Sequence, residues 1–287
     1  MEIIRTPSEM TAWANRTHGE GHTIGFVPTM GYFHEGHLSL MRMARGVADR
    51  LVVSLFVNPI QFGAGEDLSR YPSDFSGDCS MAEAVGAEVL FAPAPEVMYP
   101  PGAQTLVVVS GISEGLCGAS RPGHFEGVAT VVTKLFHLVK PDVAVFGKKD
   151  LQQLAVIRRM VTDLNWDIRI VGHPIVREPD GLAMSSRNSY LSPVERQTAL
   201  CLHQAIRHAR NRVDEGVTDA AVLNSELRCM LASQPGVVID YISLVDEGSL
   251  QPVVRLMPGT VLAMAVRVGN TRLIDNDALF EVDGATA

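Results

Sequence analysis

The stretch 27-VPTMGYFHEGHLSLM-41 runs from a short apolar segment through a glycine turn into an amphipathic segment. The apolar segment 24-IGFVP-28 predicts a buried strand, and the spacing of apolar residues after Gly36 predicts a helix. This order places His34 and His37 at a helix N-terminus, where free backbone N–H groups and the helix dipole favour an anion. We therefore expect a strand–turn–helix unit that binds an anionic ligand.

The motif alone leaves several roles open for the two histidines: metal ligands, an acid–base pair, phosphate-binding groups, or capping and packing. Zinc is disfavoured, because HExxH spaces its histidines four apart. Here 34-HEGH-37 spaces them three apart, and no third ligand is evident.

Composition indicates a folded globular protein. The chain has 287 residues, 46% of them apolar, and its apolar runs, such as 261-VLAMAV-266, are too short to span a membrane. The segment MEIIRTPSEM at the start lacks a basic-then-apolar signal pattern. The cysteines are scattered without a CxxC pair, which is typical of a reducing compartment: Cys79, Cys117, Cys201 and Cys229. We expect a cytoplasmic protein without a membrane partner.

Charge disfavours nucleic acid as a partner, because the net charge is −8 and broad nucleic-acid binding needs an extended basic surface. The four lysines nevertheless all lie between positions 134 and 149: Lys134, Lys140, Lys148 and Lys149. This concentration indicates either an anion site or chance clustering.

Up to about residue 175, short apolar runs alternate with helical patterns. The predicted strands are 24–28, 51–57, 88–92, 105–109, 142–147 and 168–172, and the predicted helices are 36–48, 74–86, 124–139 and 149–164. Strands that are apolar on both faces and separated by helices indicate a Rossmann-like, doubly wound parallel α/β sheet. In that fold, ligands bind beyond the carboxyl ends of the strands.

The rest of the chain, residues 176–287, predicts a smaller α+β domain. Its predicted helices are 193–213 and 219–232, and its predicted strands are 237–246, 260–268 and 272–282. Gly269-Asn270 between the last two strands indicates an antiparallel hairpin.

Further motifs carry polar groups at the expected ligand edge. In 54-SLFVNPIQF-62, Asn58 and Gln61 follow a strand and could offer amides to hydroxyl and carboxylate groups. In isolation, this stretch is more typical of a simple turn at Asn58-Pro59 followed by a loop residue. In 121-RPGHFEGVATVV-132, Arg121 and His124 precede a helix and suit an anionic group, although such residues often mark only a helix boundary.

The segment 146-FGKKDLQQL-154 again runs from a strand through glycine into a helix, with Lys148 and Lys149 near the helix N-terminus and Asp150 placed to cap it. Neither a Walker P-loop nor a GxGxxG is present. In 183-AMSSRNSYLS-192, two hydroxyls and Arg187 form a possible phosphate clamp.

Taken together, the motifs PTMG..HEGHLSL, SLFVNP.QF, GHFEGV.TVV.KLF, FG.KD.QQL and DGLAMSSRN.YLS resemble those of the pantoate–β-alanine ligases. These enzymes belong to the adenylate-forming nucleotidyltransferases, in which a HIGH-type and a KMSKS-type motif hold ATP. Here 34-HEGH-37 looks like the first and 184-MSSR-187 like the second. The resemblance implies that pantoate reacts with Mg-ATP to give pantoyl adenylate and pyrophosphate, and that β-alanine then displaces AMP to give pantothenate.

The resemblance also implies site residues. The implied catalytic residues are His37, His34, Lys149 and Arg187. The implied ATP-binding residues are Met30, Gly31, Tyr32, Phe33, His34, Glu35, Gly36, His37, Gly147, Lys148, Lys149, Asp150, Val176, Met184, Ser185, Ser186 and Arg187. The implied pantoate-binding residues are Gln61, Gln153, Met30, Arg121 and His124, with Gln61 also near β-alanine.

No protein metal ligand is implied, because such sites hold Mg²⁺ largely through phosphates and water. Residues 1–175 are the implied ATP- and pantoate-binding domain and 176–287 the lid, in a homodimer formed through the N-terminal domain. Tyr32-Phe33, Lys148 and Ser73 depart from the family pattern. The rival functions are adenylation of another small acid, nucleotidyl transfer to a phosphate, a zinc hydrolase using both histidines, and a non-catalytic nucleotide sensor.

Overall fold

A computed structural model of the protein describes residues 1–280, which fall into two compact units. The first unit contains Met1–Ser113 and Arg121–Val176, and the second contains Glu114–Ser120 and, among the described residues, 177–280. A linear division after residue 175 does not assign residues 114–120 to the second unit. They belong there because Ser120 donates a hydrogen bond of 2.7 Å to Asp240, a residue of that unit.

Within the described residues, the first unit holds a six-stranded sheet in the order β1-β4-β3-β2-β5-β6, with every pairing parallel. Its strands are β1 (Glu2–Ile4), β2 (Ile24–Thr29), β3 (Arg50–Leu55), β4 (Val89–Phe91), β5 (Val143–Gly147) and β6 (Arg169–His173). The helices of the chain are α1 (Pro7–Gly19), α2 (Glu35–Val47), α3 (Phe75–Val85), α4 (Pro95–Met98), α5 (Leu116–Ser120), α6 (His124–Val139), α7 (Leu151–Asp163), α8 (Pro193–Ala199), α9 (Cys201–Asp214) and α10 (Ala220–Ala232). The predicted parallel α/β fold is confirmed.

Helices cover both faces of this sheet, as alternation along β2 shows. Val27 packs in one core cluster with Met41 of α2 and Ala82 of α3. Its neighbour Phe26 places its ring 6.2 Å from the ring of Phe136 of α6. Because successive strand residues point to opposite faces, α2 and α3 lie on one face and α6 on the other.

The predicted strand 105–109 is wrong. Residues 103–110 have no regular structure, and the side chains of Leu106 and Val108 are 58% and 60% exposed. The backbone N–H of Val107 donates to the hydroxyl of Thr130 instead of to a strand. The apolar run matched a strand by composition, but in the described structure no neighbouring strand pairs with it.

The alternation of apolar runs and helical patterns did not predict β1 or α1, although the residues at the start of α1 carry a capping signal. The Thr6 hydroxyl accepts from the Glu9 N–H and donates to the Glu9 carboxylate, and Pro7 is the first helical residue. This is the T-x-x-E pattern that opens helices. The strand β1 has only three residues, too few for a periodic pattern.

The second unit confirms the predicted antiparallel sheet. Its strands are β7 (Val237–Asp246), β8 (Thr260–Val268) and β9 (Thr271–Ala278), and Gly269-Asn270 joins the last two. The predicted helix 193–213 is interrupted at Leu200, between α8 and α9. The last two residues of the predicted strand 272–282 lie outside the described residues.

Candidate active site

The first unit has a topological switch point between β2 and β5. From β2 the chain continues to β3 and β4 on one side, whereas β5 and β6 lie on the other side. Crossovers in opposite directions leave a crevice at the carboxyl ends of the two central strands, where such sheets bind ligands. The loop after β2 ends at His34, His37 lies in the first turn of α2, and the turn after β5 carries Lys149.

His34 and His37 cap the start of α2, and each does so through its own Nδ1. The N–H of Gly36 donates to Nδ1 of His34 at 3.1 Å, and the N–H of His34 donates to Nδ1 of His37 at 3.3 Å. The two rings lie 4.1 Å apart between centroids. Because each Nδ1 is an acceptor, each neutral ring carries its proton on Nε2 and has that N–H left to donate.

Electrostatics keep both rings neutral at pH 7. Burial and the Lys149 ammonium lower the pKa of His34 to about 4. Burial, His34 and Lys149 lower the pKa of His37 to about 3. A base with such a pKa is a poor proton acceptor at neutral pH. The pair is therefore suited to donate hydrogen bonds to an anion, and not to act as an acid–base pair.

The turn after β5 brings a cation to the same crevice. Lys148–Asp150 form a single 3-10 turn that leads into α7, and Asp150 makes no side-chain capping bond there, contrary to the expected cap. Lys149 affects the pKa of both histidines, which places its charge within electrostatic reach of both rings. Two neutral donors and one ammonium group thus face the switch point.

Gln61 is oriented by its neighbours. Its Oε1 accepts from Nδ2 of Asn58 at 3.0 Å, and its Nε2 donates to the Met30 sulfur at 3.3 Å. The amide of Asn58 is itself fixed, since its Oδ1 accepts from the Tyr99 hydroxyl and its Nδ2 also donates to the Gly127 carbonyl. A sulfur atom is a weak acceptor, so Nε2 of Gln61 remains a donor for a polar ligand.

The backbone of Gln61 is held as firmly as its side chain. A Cβ at Gly127 would lie 2.6 Å from Cα of Gln61, so only glycine allows α6 to approach this closely. His124 Nδ1 lies 2.9 Å from the Gln61 carbonyl oxygen, and its Nε2 lies 2.9 Å from Nη1 of Arg121. Because arginine only donates, Nε2 of His124 accepts and its Nδ1–H donates to the carbonyl.

Arg121 is anchored in turn by Glu66, with two contacts of 2.6 Å between guanidinium and carboxylate. Burial and the charge of Arg121 lower the pKa of His124 to about 4, so the ring stays neutral. The direct contacts of Arg121 and His124 with pantoate remain predictions, and their observed contacts hold Gln61 in place.

The other expected residues are distributed as follows. Gln152 is buried and its amide donates to the Ile112 carbonyl, whereas its neighbour Gln153 is half-buried on α7. Glu35 binds Arg42 through both carboxylate oxygens. Phe33 is buried in the core cluster next to α2, with its ring 5.5 Å from that of His37.

The residues of 184-MSSR-187 belong to the second unit. The Ser185 hydroxyl accepts from the Arg187 N–H, and Asn188 donates to Glu178 and to the Ala183 carbonyl. These bonds give the segment a defined turn. Its role in ATP binding, and that of Val176, stay predictions.

Comparison with known proteins decides the family. The family model for pantoate-beta-alanine ligase matches residues 2–278. The chain belongs to the pantoate–β-alanine ligase family. The pantothenate synthetase of Heliobacterium modesticaldum is 58% identical over 96% of this chain and 98% of its own.

Solved structures from the family agree. The pantothenate synthetase of Thermus thermophilus superposes with a TM-score of 0.93 at 44% identity, covering 98% of this chain and 100% of that one. The pantoate-beta-alanine ligase of Francisella tularensis, solved in complex with beta-gamma ATP and beta-alanine, has a TM-score of 0.80 at 31% identity, covering 97% and 98%. The protein is thus a ligase with the nucleotidyltransferase-type α/β fold of this family.

Residues 1–280 hold neither a membrane-spanning helix nor a cluster of metal ligands. No helix in this part of the chain has both the length and the apolar character needed to cross a bilayer. No group of three or more His, Cys, Asp or Glu side chains there has the arrangement of a metal site.

The sequence did not reveal some residues that shape the site. Glu66 and Tyr99 act through contacts distant in sequence, and nothing in their local pattern indicates this. The sequence does carry a signal that Asp78 is buried. It lies four residues before Ala82, on the same face of α3, and both are buried. An ionisable residue on the apolar face of a helix must find buried partners.

The lowered pKa values of His34 and His37 predict that acid destabilises the fold. The unfolded chain takes up these protons near pH 6.5, whereas the folded protein resists them until about pH 4. Because the unfolded state binds more protons between these values, the free energy of unfolding falls as the pH drops through that range. Between pH 7 and pH 5, we expect the unchanged protein to lose about 2 kcal/mol more than His34→Asn, measured by urea unfolding. Equal losses in the two proteins would contradict the assigned neutral state.

Proposed function

We propose that the protein condenses pantoate with β-alanine to form pantothenate, using ATP and releasing AMP and pyrophosphate. The observation that carries this proposal is the switch point of the first unit. The site there combines two neutral Nε2–H donors, the Lys149 charge and a fixed amide donor from Gln61. The chain that carries this site belongs to the pantoate–β-alanine ligase family.

The first half-reaction is an in-line displacement at phosphorus. A pantoate carboxylate oxygen attacks the α-phosphorus of ATP, the bond to the bridging oxygen breaks, and pyrophosphate leaves with its electron pair. Such a step needs positioning and neutralisation of charge more than it needs a nucleophile from the protein. His34 and His37 donate through Nε2 to phosphate oxygens, and Lys149 offsets the developing negative charge.

The second half-reaction transfers the acyl group. The neutral amine of β-alanine attacks the acyl carbon of pantoyl adenylate, and the bond from that carbon to the phosphate oxygen breaks. AMP leaves with the electron pair, and the nitrogen loses one proton to solvent. Gln61 holds the acid through Nε2, and Gln153 supplies a second amide from α7. This amide pairing suits hydroxyl and carboxylate groups better than it suits a metal or a phosphoester.

Mg²⁺ fits this site as an ion held mainly by the nucleotide. Asp150 follows β5 and is exposed, and its charge reaches His124. One carboxylate together with phosphate oxygens is the usual environment for Mg²⁺ in such enzymes. Asp150 is the residue we assign to it, and the ion would neutralise charge on the triphosphate.

Family resemblance supports four finer assignments. The segment Met184–Arg187, with Val176, completes ATP binding as part of a C-terminal lid domain, and the first unit binds ATP and pantoate. The protein works in the cytoplasm as a homodimer formed through the first unit. Sedimentation should give twice the chain mass of 31.0 kDa, and a monomer at micromolar concentration would refute the dimer.

Product analysis tests the proposed reaction. With ATP, pantoate and β-alanine present, mass spectrometry should show pantothenate and AMP in equal amounts, with pyrophosphate. ADP and inorganic phosphate as products would instead indicate an acyl-phosphate ligase. AMP formation with another acid but not with pantoate would assign the protein to a related adenylating enzyme.

Asn58 tests the role of the Gln61 donor. Asn58→Asp replaces the amide that donates to Oε1 of Gln61 by an acceptor, so the Gln61 amide is expected to turn and present oxygen to the substrate. We expect the KM for pantoate to rise about 10- to 100-fold, as for loss of a hydrogen bond to a charged group, with little change in the KM for ATP. Tyr99→Phe removes only the bond to Oδ1 of Asn58 and should have a smaller effect in the same direction. An unchanged KM for pantoate in a folded Asn58→Asp protein would refute this role.

A further inference from the structure

The loop between β2 and α2 contains two consecutive residues with left-handed backbones. Gly31 has a φ of 90° and Tyr32 a φ of 54°. The left-handed region costs a non-glycine residue roughly 1 kcal/mol or more, so the surrounding structure must hold Tyr32 in it. His34 follows two residues later and begins the cap of α2.

A buried carboxylate holds this conformation. Asp78 of α3 is only 1% exposed, and its two oxygens accept separate backbone hydrogen bonds. Oδ2 accepts from the Tyr32 N–H at 2.7 Å, and Oδ1 accepts from the Phe33 N–H at 2.6 Å. A Cβ at Gly31 would lie 2.9 Å from Oδ2, so a glycine is needed for the carboxylate to come this close.

The bonding of Asp78 requires a carboxylate and not a neutral isostere. Two N–H groups point at two oxygens, and an asparagine would turn its NH₂ group toward one of them. Burial raises the pKa of Asp78, and the charge of Asp74 adds to the rise, while both N–H bonds oppose it. A buried charge of this kind is costly unless its hydrogen bonds are made, so the loop and the carboxylate stabilise each other.

We propose that Asp78 is a positioning residue for adenylation, which fixes the Gly31–Phe33 turn and thereby aims Nε2 of His34 and His37 at the phosphates. The proposal rests on the proposed function, since it concerns the same donors. The backbone N–H groups of Tyr32 and Phe33 are the anchor of the loop. Neither Asp78 oxygen is assigned to substrate or metal.

The test compares Asp78→Asn with Asp74→Asn. Both variants remove one negative charge from the same helix, but Asp74 caps α3 through Gly77 and does not contact the loop. An asparagine can still cap at position 74. Single-turnover formation of pantoyl adenylate and the KM for pantoate are measured in both, with circular dichroism to confirm folding.

We expect Asp78→Asn to slow adenylation about 100-fold, because a displacement near 1 Å has that effect on a positioned group. The KM for pantoate should change less than about threefold, since the hydrogen bonds that orient Gln61 do not involve Asp78, and Asp74→Asn should match the unchanged protein. A normal adenylation rate in folded Asp78→Asn would refute the proposal. A loss of rate with an equal rise in the KM for pantoate would also refute it, because that pattern indicates general distortion.

A second route covers the case in which Asp78→Asn does not fold. Gly31→Ala forces Cβ against Oδ2 without a change of charge and should slow adenylation similarly, whereas a normal rate in this variant would contradict the proposal. If both single variants fold, their double mutant should be little slower than either, because both disrupt one contact. Absence of adenylate from the unchanged protein would refute the proposed function itself, so the two failures are distinguishable.

Discussion

Replacing His37 by alanine is expected to slow adenylate formation in a single turnover by about 10²- to 10³-fold, the usual effect of removing one donor from a charge-stabilising site. The ring is neutral, with its pKa lowered to about 3 by burial, His34 and Lys149. Its Nδ1 accepts from the backbone of His34, so Nε2–H is the group that donates to substrate in the proposed mechanism. Because the negative charge on phosphate oxygens grows in the transition state, ATP affinity should fall far less than the rate.

His137→Ala is the matched control, since His137 lies exposed on α6 and should leave the rate unchanged. Thermal unfolding of His37→Ala shows whether loss of the acceptor for the His34 N–H disturbs the cap. A single-turnover adenylation rate equal to that of the unchanged protein would defeat the donor role of His37.

Replacing Lys149 by methionine should reduce the adenylation rate by a similar factor of about 10²- to 10³-fold. The change keeps most of the length of the side chain and removes the ammonium group that compensates the triphosphate in the proposed mechanism. It should also raise the pKa of His34 and His37, because the charge of Lys149 contributes to lowering both. NMR titration of the two rings provides a second measurement that does not depend on activity.

Lys140→Met serves as its control, because Lys140 closes α6 and binds Asn15 away from the switch point. If Lys149→Met retained full activity, or if the histidine titrations did not move, the ammonium group would not be part of the site.

The sequence predicts those parts of the fold that are encoded locally. The order β2, glycine turn and α2 is predictable because an apolar segment changes to helical spacing within a few residues. The hairpin between β8 and β9 is predictable from Gly269-Asn270. The prediction of a strand at 105–109 is wrong because an apolar run shows only that a strand is possible. Whether a partner strand exists depends on residues elsewhere in the chain.

The same distinction applies to the site. His34, His37 and Lys149 are predictable because a doubly wound sheet brings the carboxyl ends of β2 and β5 together. The protonation state of the rings is not predictable from sequence, since it depends on their burial and on the charge of Lys149 in the folded protein. Asp78 contacts Phe33 across 45 residues of sequence, and Tyr99 contacts Asn58 across 41, so their partners appear only in the folded chain.

Exchange of labelled pyrophosphate into ATP tests the central claim, that this switch point adenylates pantoate, most directly. The proposed mechanism predicts exchange that requires pantoate and proceeds without β-alanine, because the first half-reaction is reversible on its own. It also predicts that His37→Ala and Lys149→Met abolish most of this exchange. Exchange that occurs with other small acids but not with pantoate, or that requires β-alanine, would contradict the account.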